Sequence, residues 1–370
     1  MKVLHVISDE NIGGAGVLLT TLLRNFDRDR VESVVALPRG SALLERLSPL
    51  KLAVVELKHP CQRLSPRSVW ELRRIIERVD PAIVHANAAL SARLAGRLMG
   101  KRVIHTRHCC FPPTGALQSR LLSPVSGFWN RALSHRVIAT ADAAAEDLVR
   151  MGIPREKIEV ILNGSEPIRE VPEAELNEYR KQWGIAEGDF VIGICARLEA
   201  CKGQRIFLRA AKILCQRLPQ ISFRFLIVGT GGEEADLKAF CKEIGMEDRV
   251  VFCGFVKDMA PVYRLLRVNV NCSVGTETSC LALSEGMSAS LPMVVSDYGG
   301  NGAMVGEGKA GVLFPAGDEI ALADALERIA SDRALEEEMK QAARLRYLKN
   351  YTAVQMTEHL TAVYEEILKI

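Results

Sequence analysis

Short β-branched apolar runs alternate along this chain with longer stretches in which apolar residues recur at helical spacing. The runs at Val3–Ile7, Val31–Ala36, Ala53–Leu57, Ala82–His85, Arg102–Thr106, Arg136–Ala139 and Ile158–Ile161 predict strands, and Val17–Asn25, Val69–Val79, Ala88–Met99 and Ala141–Met151 predict helices between them. Strands that are apolar on both faces belong to a parallel sheet covered by helices on each side. The rhythm pauses between Ser165 and Asp189, where Glu-Pro, Val-Pro and the charged helical run Glu173–Trp183 read as a linker and the first helix of a second half. It then restarts. Strands are predicted at Phe190–Cys195, Phe223–Val228, Val250–Cys253, Val268–Cys272, Pro292–Ser296 and Val312–Phe314. Helices are predicted at Gln204–Leu218, Glu233–Ile244, Ala282–Ser288, Glu319–Ser331 and Ala334–Arg344, with a helical tail at Val354–Ile370. The chain thus reads as an α/β protein of two doubly wound, Rossmann-like units in tandem, which its 370 residues accommodate. Open parallel sheets bind ligands outside the carboxyl ends of their strands, so the chemistry is expected in the loops that follow strands.

Composition narrows the function classes. Hydrophobic residues make up 48% and charged residues 25%, and the net charge is +3 with Lys and Arg dispersed. A nucleic-acid partner, which wants a clustered basic face, is therefore not expected. Pairs such as Arg73–Arg74 and Lys101–Arg102 read as solvated helix faces. No apolar run reaches the roughly 18 residues of a spanning helix. The opening Met1–Glu10 reads as a buried strand rather than a signal peptide. The ten cysteines show no disulfide spacing, and Cys195, Cys253 and Cys272 sit in apolar runs, so reduced thiols and a cytoplasmic location are expected.

The post-strand loops carry the candidate chemistry. Asn11-Ile12-Gly13-Gly14-Ala15-Gly16 follows the first strand and precedes a helix, as a phosphate-approach loop would, but it lacks the dinucleotide fingerprint and its acidic partner. Thr106-Arg107-His108 ends another strand, where a histidine can donate to a sugar hydroxyl or phosphate. A metal held by His105, His108, Cys109 and Cys110 is disfavoured, because adjacent cysteines rarely ligate one tetrahedral ion. Arg197 and Lys202 share the loop after the first strand of the second half, where two cations suit a diphosphate. Gly229-Thr230-Gly231-Gly232 imitates a dinucleotide loop, but Glu233 and Glu234 follow it, so it reads as a strand-to-helix turn. The stretch from Gly275 to Gly286 places Glu277 in a loop, lets Thr278 or Ser279 cap a helix, and sets Glu285 two turns into it.

Together these segments resemble the GT-B glycosyltransferases, specifically the retaining glycosyltransferase family 4. The resemblance rests on Gly13-Gly14, Ile83-Val84-His85 with Asn87, Thr106-Arg107-His108, Val160–Gly164, Arg197-Leu198 with Lys202-Gly203-Gln204, Leu226–Gly229, Val251–Val256, Glu277 to Glu285, and Pro292–Asn301 in that order. It implies two Rossmann-like domains facing a central cleft. Residues 1–165 would form the acceptor-side domain, with the helix 354–370 packed back on it, and residues 166–353 would bind the donor. It implies catalytic roles for His108, Arg197, Lys202 and Glu277. Arg197 and Lys202 would hold the diphosphate, Glu277 the sugar hydroxyls, Glu285 the ribose, and Phe255 and Val256 the base. Gly13 and Gly14, with Thr278, Ser279, Cys280 and Leu281, would complete the donor site.

The resemblance further implies a nucleotide-sugar donor, UDP ahead of GDP or ADP, with retention and without a metal or other cofactor. The acceptor would be a glycan or a lipid-linked hydroxyl, in cell-surface polysaccharide or glycolipid assembly. The chain departs from the family at Thr278-Ser279-Cys280, where glycines are common, at Ser290, and at Gly302-Ala303. These departures bear on the donor rather than on the reaction class. The mixed apolar and basic stretch Phe111–Leu133 adds an expected weak contact with the inner membrane face. A nucleotide-sugar epimerase, a phosphorylase-like enzyme and a non-catalytic sugar-nucleotide binder are the alternatives.

Overall fold

A computed structural model describes residues 1–9, 13–108, 131–275, 277–306 and 309–369. The expected interfacial stretch 111–133 falls outside these residues except for its last three, as do Asn11, Ile12, Cys109, Cys110 and Thr276. Two compact units form: Met1–Gly164 with Ala353–Ile370, and Ser165–Thr352.

Unit 1 holds strands β1 (Lys2–Ile7), β2 (Glu32–Pro38), β3 (Ala53–Leu57), β4 (Ile83–Asn87), β5 (Arg102–Arg107), β6 (Arg136–Ala139) and β7 (Ile158–Val160). All pair in parallel, in the order β3-β2-β1-β4-β5-β6-β7. Between them run α1 (Gly14–Asn25), α2 (Leu43–Leu47), α3 (Pro66–Val79), α4 (Leu90–Leu98) and α5 (Asp142–Arg150). The apolar pattern predicts α3 only from Val69, but the helix starts a turn earlier. Ser65 accepts from the Ser68 amide, and Pro66 occupies the first helical position, where its missing N–H costs nothing.

The last helix of the chain (Ala353–Lys369) packs on α1 and completes unit 1. Arg30 pairs with Glu358 and Glu365, each at 2.9 Å, and Arg136 pairs with Glu366. Beneath these surface pairs Tyr364 is buried against Phe26, His5 and His85. His85 bridges the Tyr364 hydroxyl at 2.5 Å and the Thr106 hydroxyl at 2.7 Å. A Tyr364→Phe variant leaves a buried imidazole nitrogen without its partner and is expected to lose about 1–3 kcal/mol. A denaturant midpoint equal to wild type would show that the bond contributes nothing.

Unit 2 opens with α6 (Glu173–Gln182) and holds β8 (Phe190–Cys195), β9 (Phe223–Val228), β10 (Val250–Gly254), β11 (Val268–Asn271), β12 (Met293–Ser296) and β13 (Gly311–Phe314). These are again all parallel, in the order β10-β9-β8-β11-β12-β13. The helices that cover them are α7 (Gln204–Arg217), α8 (Glu234–Glu243), α9 (Ala260–Leu265), α10 (Leu281–Ser288), α11 (Asn301–Val305), α12 (Glu319–Ser331) and α13 (Arg333–Asn350). Phe207, Phe225, Phe190, Phe223 and Leu326 are among the side chains that fill the core. The helix α13 runs six residues past its expected end at Arg344, because Tyr347 turns inward and donates to the Ser165 carbonyl at 2.8 Å.

In both sheets the strand order reverses beside the first strand of the unit, between β1 and β4 and between β8 and β11. The loops after those strands diverge to opposite sides and leave a crevice at the carboxyl edge.

Candidate active site

In unit 2 the loop after β8 carries Arg197 and Lys202, and the loop after β11 carries Glu277, so the two loops flank the reversal point. The two loops are tied together by a backbone bond from Val274 N to the Cys201 carbonyl at 2.8 Å, and Leu198 N ties the loop after β8 to the Thr230 carbonyl after β9 at 3.0 Å. Gln204, buried at the start of α7, donates to the Arg197 carbonyl. Gly203 sits at φ +72° with a Cβ direction only 2.1 Å from the Cys272 carbonyl oxygen, so no side chain fits there. The glycine stretch after β9 is a packing device. A Cβ on Gly229 would lie 2.1 Å from the Ala196 carbonyl oxygen, and α8 starts at Glu234.

Lys202 Nζ reaches Glu277 Oε2 at 2.8 Å, and their side chains are only 14% and 8% exposed. The pair is therefore largely buried. Burial pulls the ammonium down, but the charge of Glu277, the neighbouring Cys280 and Cys201 and the hydrogen bond to Glu277 together outweigh it, so Lys202 titrates above the usual lysine range. Ser273 donates to the same Glu277 oxygen at 2.6 Å, and Asn271 approaches it at 3.5 Å. Arg197 stays exposed and pairs with Glu199 at 2.8 Å. Glu285 accepts from the Tyr263 hydroxyl on α9 at 2.8 Å. Burial, and after it the charge of Glu285, push the Tyr263 phenol well above its ordinary range.

The helix α10 departs from expectation at its start. Its N-cap is Cys280, with no side-chain cap, and neither Thr278 nor Ser279 caps it. Thr278 and Ser279 are buried instead, and Glu285 lies one turn into the helix rather than two. Burial, then Glu277, push the Cys280 thiol up to about 12, which makes it an inert apolar group beside the carboxylate. Leu281 is the first helical residue. Phe255 (58% exposed) and Val256 follow β10, two strands from β8. Tyr263, Ser273 and Asn271 are the polar contacts that sequence reasoning missed. Only their place at strand ends or on a short helix distinguishes them.

In unit 1, Gly13 is the N-cap of α1, without a side-chain cap. A Cβ on Gly14 would meet nothing within 4 Å, and one on Gly13 would meet only the Asp9 carboxylate at 3.8 Å. Neither glycine is demanded by packing in unit 1 itself. His108, at the end of β5, meets Asn87 Oδ1 at 3.0 Å, and burial lowers it to about 4, so it is neutral at pH 7. His105 binds the Ala86 carbonyl instead.

Residues 12–168 match Glycosyltransferase Family 4, and residues 189–332 match Glycosyl transferases group 1. The chain belongs to the family 4 glycosyltransferases. It is 27% identical over 304 residues to the putative glycosyltransferase EpsD of Bacillus subtilis, spanning 80% of this chain and 79% of that one. It is 24% identical over 310 residues to the Escherichia coli UDP-Gal:alpha-D-GlcNAc-diphosphoundecaprenol alpha-1,3-galactosyltransferase, spanning 82% and 80%. The crystal structure of Anabaena Alr3699/HepE in complex with UDP superposes with a TM-score of 0.86 at 22% identity, covering 99% of this chain and 100% of that one. This family 4 chain thus has the GT-B fold of two parallel-sheet Rossmann-like domains. Among the described residues no helix is long and apolar enough to cross a membrane.

Proposed function

We propose that this glycosyltransferase moves a sugar from a UDP-sugar to a hydroxyl of a glycan or lipid-linked acceptor, with retention and without a metal. The observation that carries the reading is the buried Lys202–Glu277 pair at the reversal point of the unit 2 sheet. Cleaving a glycosyl–phosphate bond builds positive charge on the sugar and negative charge on the departing diphosphate. Lys202 and Arg197, with the first-turn amides of α10, stabilise the diphosphate. Glu277 accepts from sugar hydroxyls, Glu285 from the ribose, and the Phe255–Val256 backbone meets the base. Thr278, Ser279, Cys280 and Leu281 line the sugar. Unit 1 serves the acceptor, with Gly13 and Gly14 admitting the approach of phosphate oxygens and His108 facing the sugar as a neutral imidazole.

UDP as the carrier is supported by the donor in the name of the Escherichia coli relative and by the nucleotide bound to HepE. The diphosphoundecaprenol acceptor in that relative's name supports a lipid-linked acceptor and a place in surface-glycan assembly at the inner membrane face.

Thermal unfolding with UDP, GDP and ADP, with and without EDTA, tests the donor. UDP alone is expected to raise the midpoint, unchanged by EDTA. Product NMR is expected to show the anomeric configuration of the donor. An inverted product, or transfer abolished by EDTA, overturns retention or metal independence respectively.

A further inference from the structure

Parallel strands buried on both faces are normally apolar throughout, yet β11 reads Val268-Asn269-Val270-Asn271, with Asn269 at 1% exposure and Asn271 at 8%. A buried amide costs stability unless it is hydrogen-bonded, so two of them in four residues call for a reason. Their partners supply one. Asn269 Nδ2 donates to the Ala282 carbonyl in the first turn of α10 at 2.8 Å. Gly286, one turn further on, is kept bare by this contact, because a Cβ there would fall 2.5 Å from Asn269 Nδ2.

Asn271 works at the other end of the same segment. Its Oδ1 accepts from the Ser273 amide at 2.9 Å, and its Nδ2 faces Cys280 Sγ at 3.3 Å and Glu277 Oε2 at 3.5 Å. Ser273 in turn donates to Glu277 Oε2, and its carbonyl accepts from the Ser296 hydroxyl at 2.7 Å. Asn301, fully buried on α11, donates to Asn271 Oδ1 and to Ser296. Lys202, Ser273 and Asn271 thus all converge on Oε2 of Glu277. The other carboxylate oxygen, Oε1, takes none of these three donors.

We infer that Asn271, oriented by Asn301 and acting with Ser273, is a positioning residue that locks one oxygen of Glu277 and so presents the other to the transferred sugar. Asn269 fixes the register of α10, and with it Glu285, from the same strand. The inference rests on the proposed role of Glu277. It adds that the choice of sugar is set from β11, beneath the site.

Two variants test it. Asn271→Leu keeps the branched shape and removes every hydrogen bond of the amide. It is expected to lower turnover about 10- to 100-fold, as a misplaced reacting group does, and to change the preference between UDP-glucose and UDP-galactose, while the UDP dissociation constant stays within about 2-fold. Asn271→Asp keeps the acceptor for Ser273 and Asn301 but sets a carboxylate against Glu277. Burial and the like charge hold that carboxylate high, and its turnover is expected to recover as pH falls. Wild-type turnover and sugar preference in Asn271→Leu, or a wild-type pH profile in Asn271→Asp, overturns the inference. A wild-type protein that binds no nucleotide sugar overturns the underlying functional reading instead.

Discussion

Lys202→Met is expected to lower turnover about 10²- to 10³-fold, the scale of losing one charged donor aimed at a leaving group. It is also expected to destabilise unit 2. The side chains of the Lys202–Glu277 pair are almost wholly enclosed, and removing one partner of a buried pair leaves the other charge without compensation, at about 3 kcal/mol or more. Activity and stability therefore fall together in this variant, and a second substitution separates them. Adding Glu277→Gln removes the stranded charge, so the double variant is expected to regain most of the stability and none of the turnover. Denaturant unfolding and a transfer assay on the two variants read this directly. Full activity in Lys202→Met removes the residue from the mechanism. A double variant as unstable as the single one would mean that Ser273 and Asn271 already compensate the carboxylate.

The second large effect is acid sensitivity confined to one unit. All seven histidines of the chain, His5, His59, His85, His105, His108, His135 and His359, belong to unit 1. Burial lowers His5 to about 3 and His85 well below its ordinary value, with neighbouring His5 a further cause for His85. Both are neutral in the folded unit. The unfolded chain takes up their protons below about pH 6.5, so the native state binds fewer protons than the unfolded one between there and the folded values. Stability is complete above pH 6.5 and falls by about 1.4 kcal/mol per pH unit for each of the two. Hydrogen exchange at pH 7.5 and pH 5 is expected to show the amides of β1 and β4 losing protection, while β8 and β11 change far less. Equal loss in both units would place the acid sensitivity in carboxylates shared by the two.

The sheet strands were legible because a doubly covered parallel strand leaves few places for a polar residue, as in Phe190–Cys195 and Phe223–Val228, which stand at their expected limits. Helix ends depend on local chemistry that apolar spacing does not capture, such as the Ser65 cap of α3 or the contact that draws Tyr347 inward. The site was legible in its charged residues and not in their pairing. Lys202 and Glu277 lie on separate loops that meet only because β8 and β11 are neighbours. Asn269 and Asn271 interrupt an apolar run without any signal that each interruption carries a contact. Thr278 and Ser279 have the chemistry of helix caps, but the chain buries both and begins the helix after Cys280.

The order of synthesis gives the tail helix of unit 1 a further consequence. Residues 1–164 leave the ribosome first, yet Arg30, His85 and Arg136 each bond a side chain of the tail helix, among Glu358, Tyr364, Glu365 and Glu366. All of unit 2 is made in between, which takes on the order of ten seconds or more at ordinary elongation rates. The second half of the chain is contiguous and can close as soon as it emerges. The first half must wait with the seat of Tyr364 uncovered, an apolar notch formed by Phe26 and two imidazoles. A factor that shields that notch on the nascent chain is expected to raise the yield of folded protein.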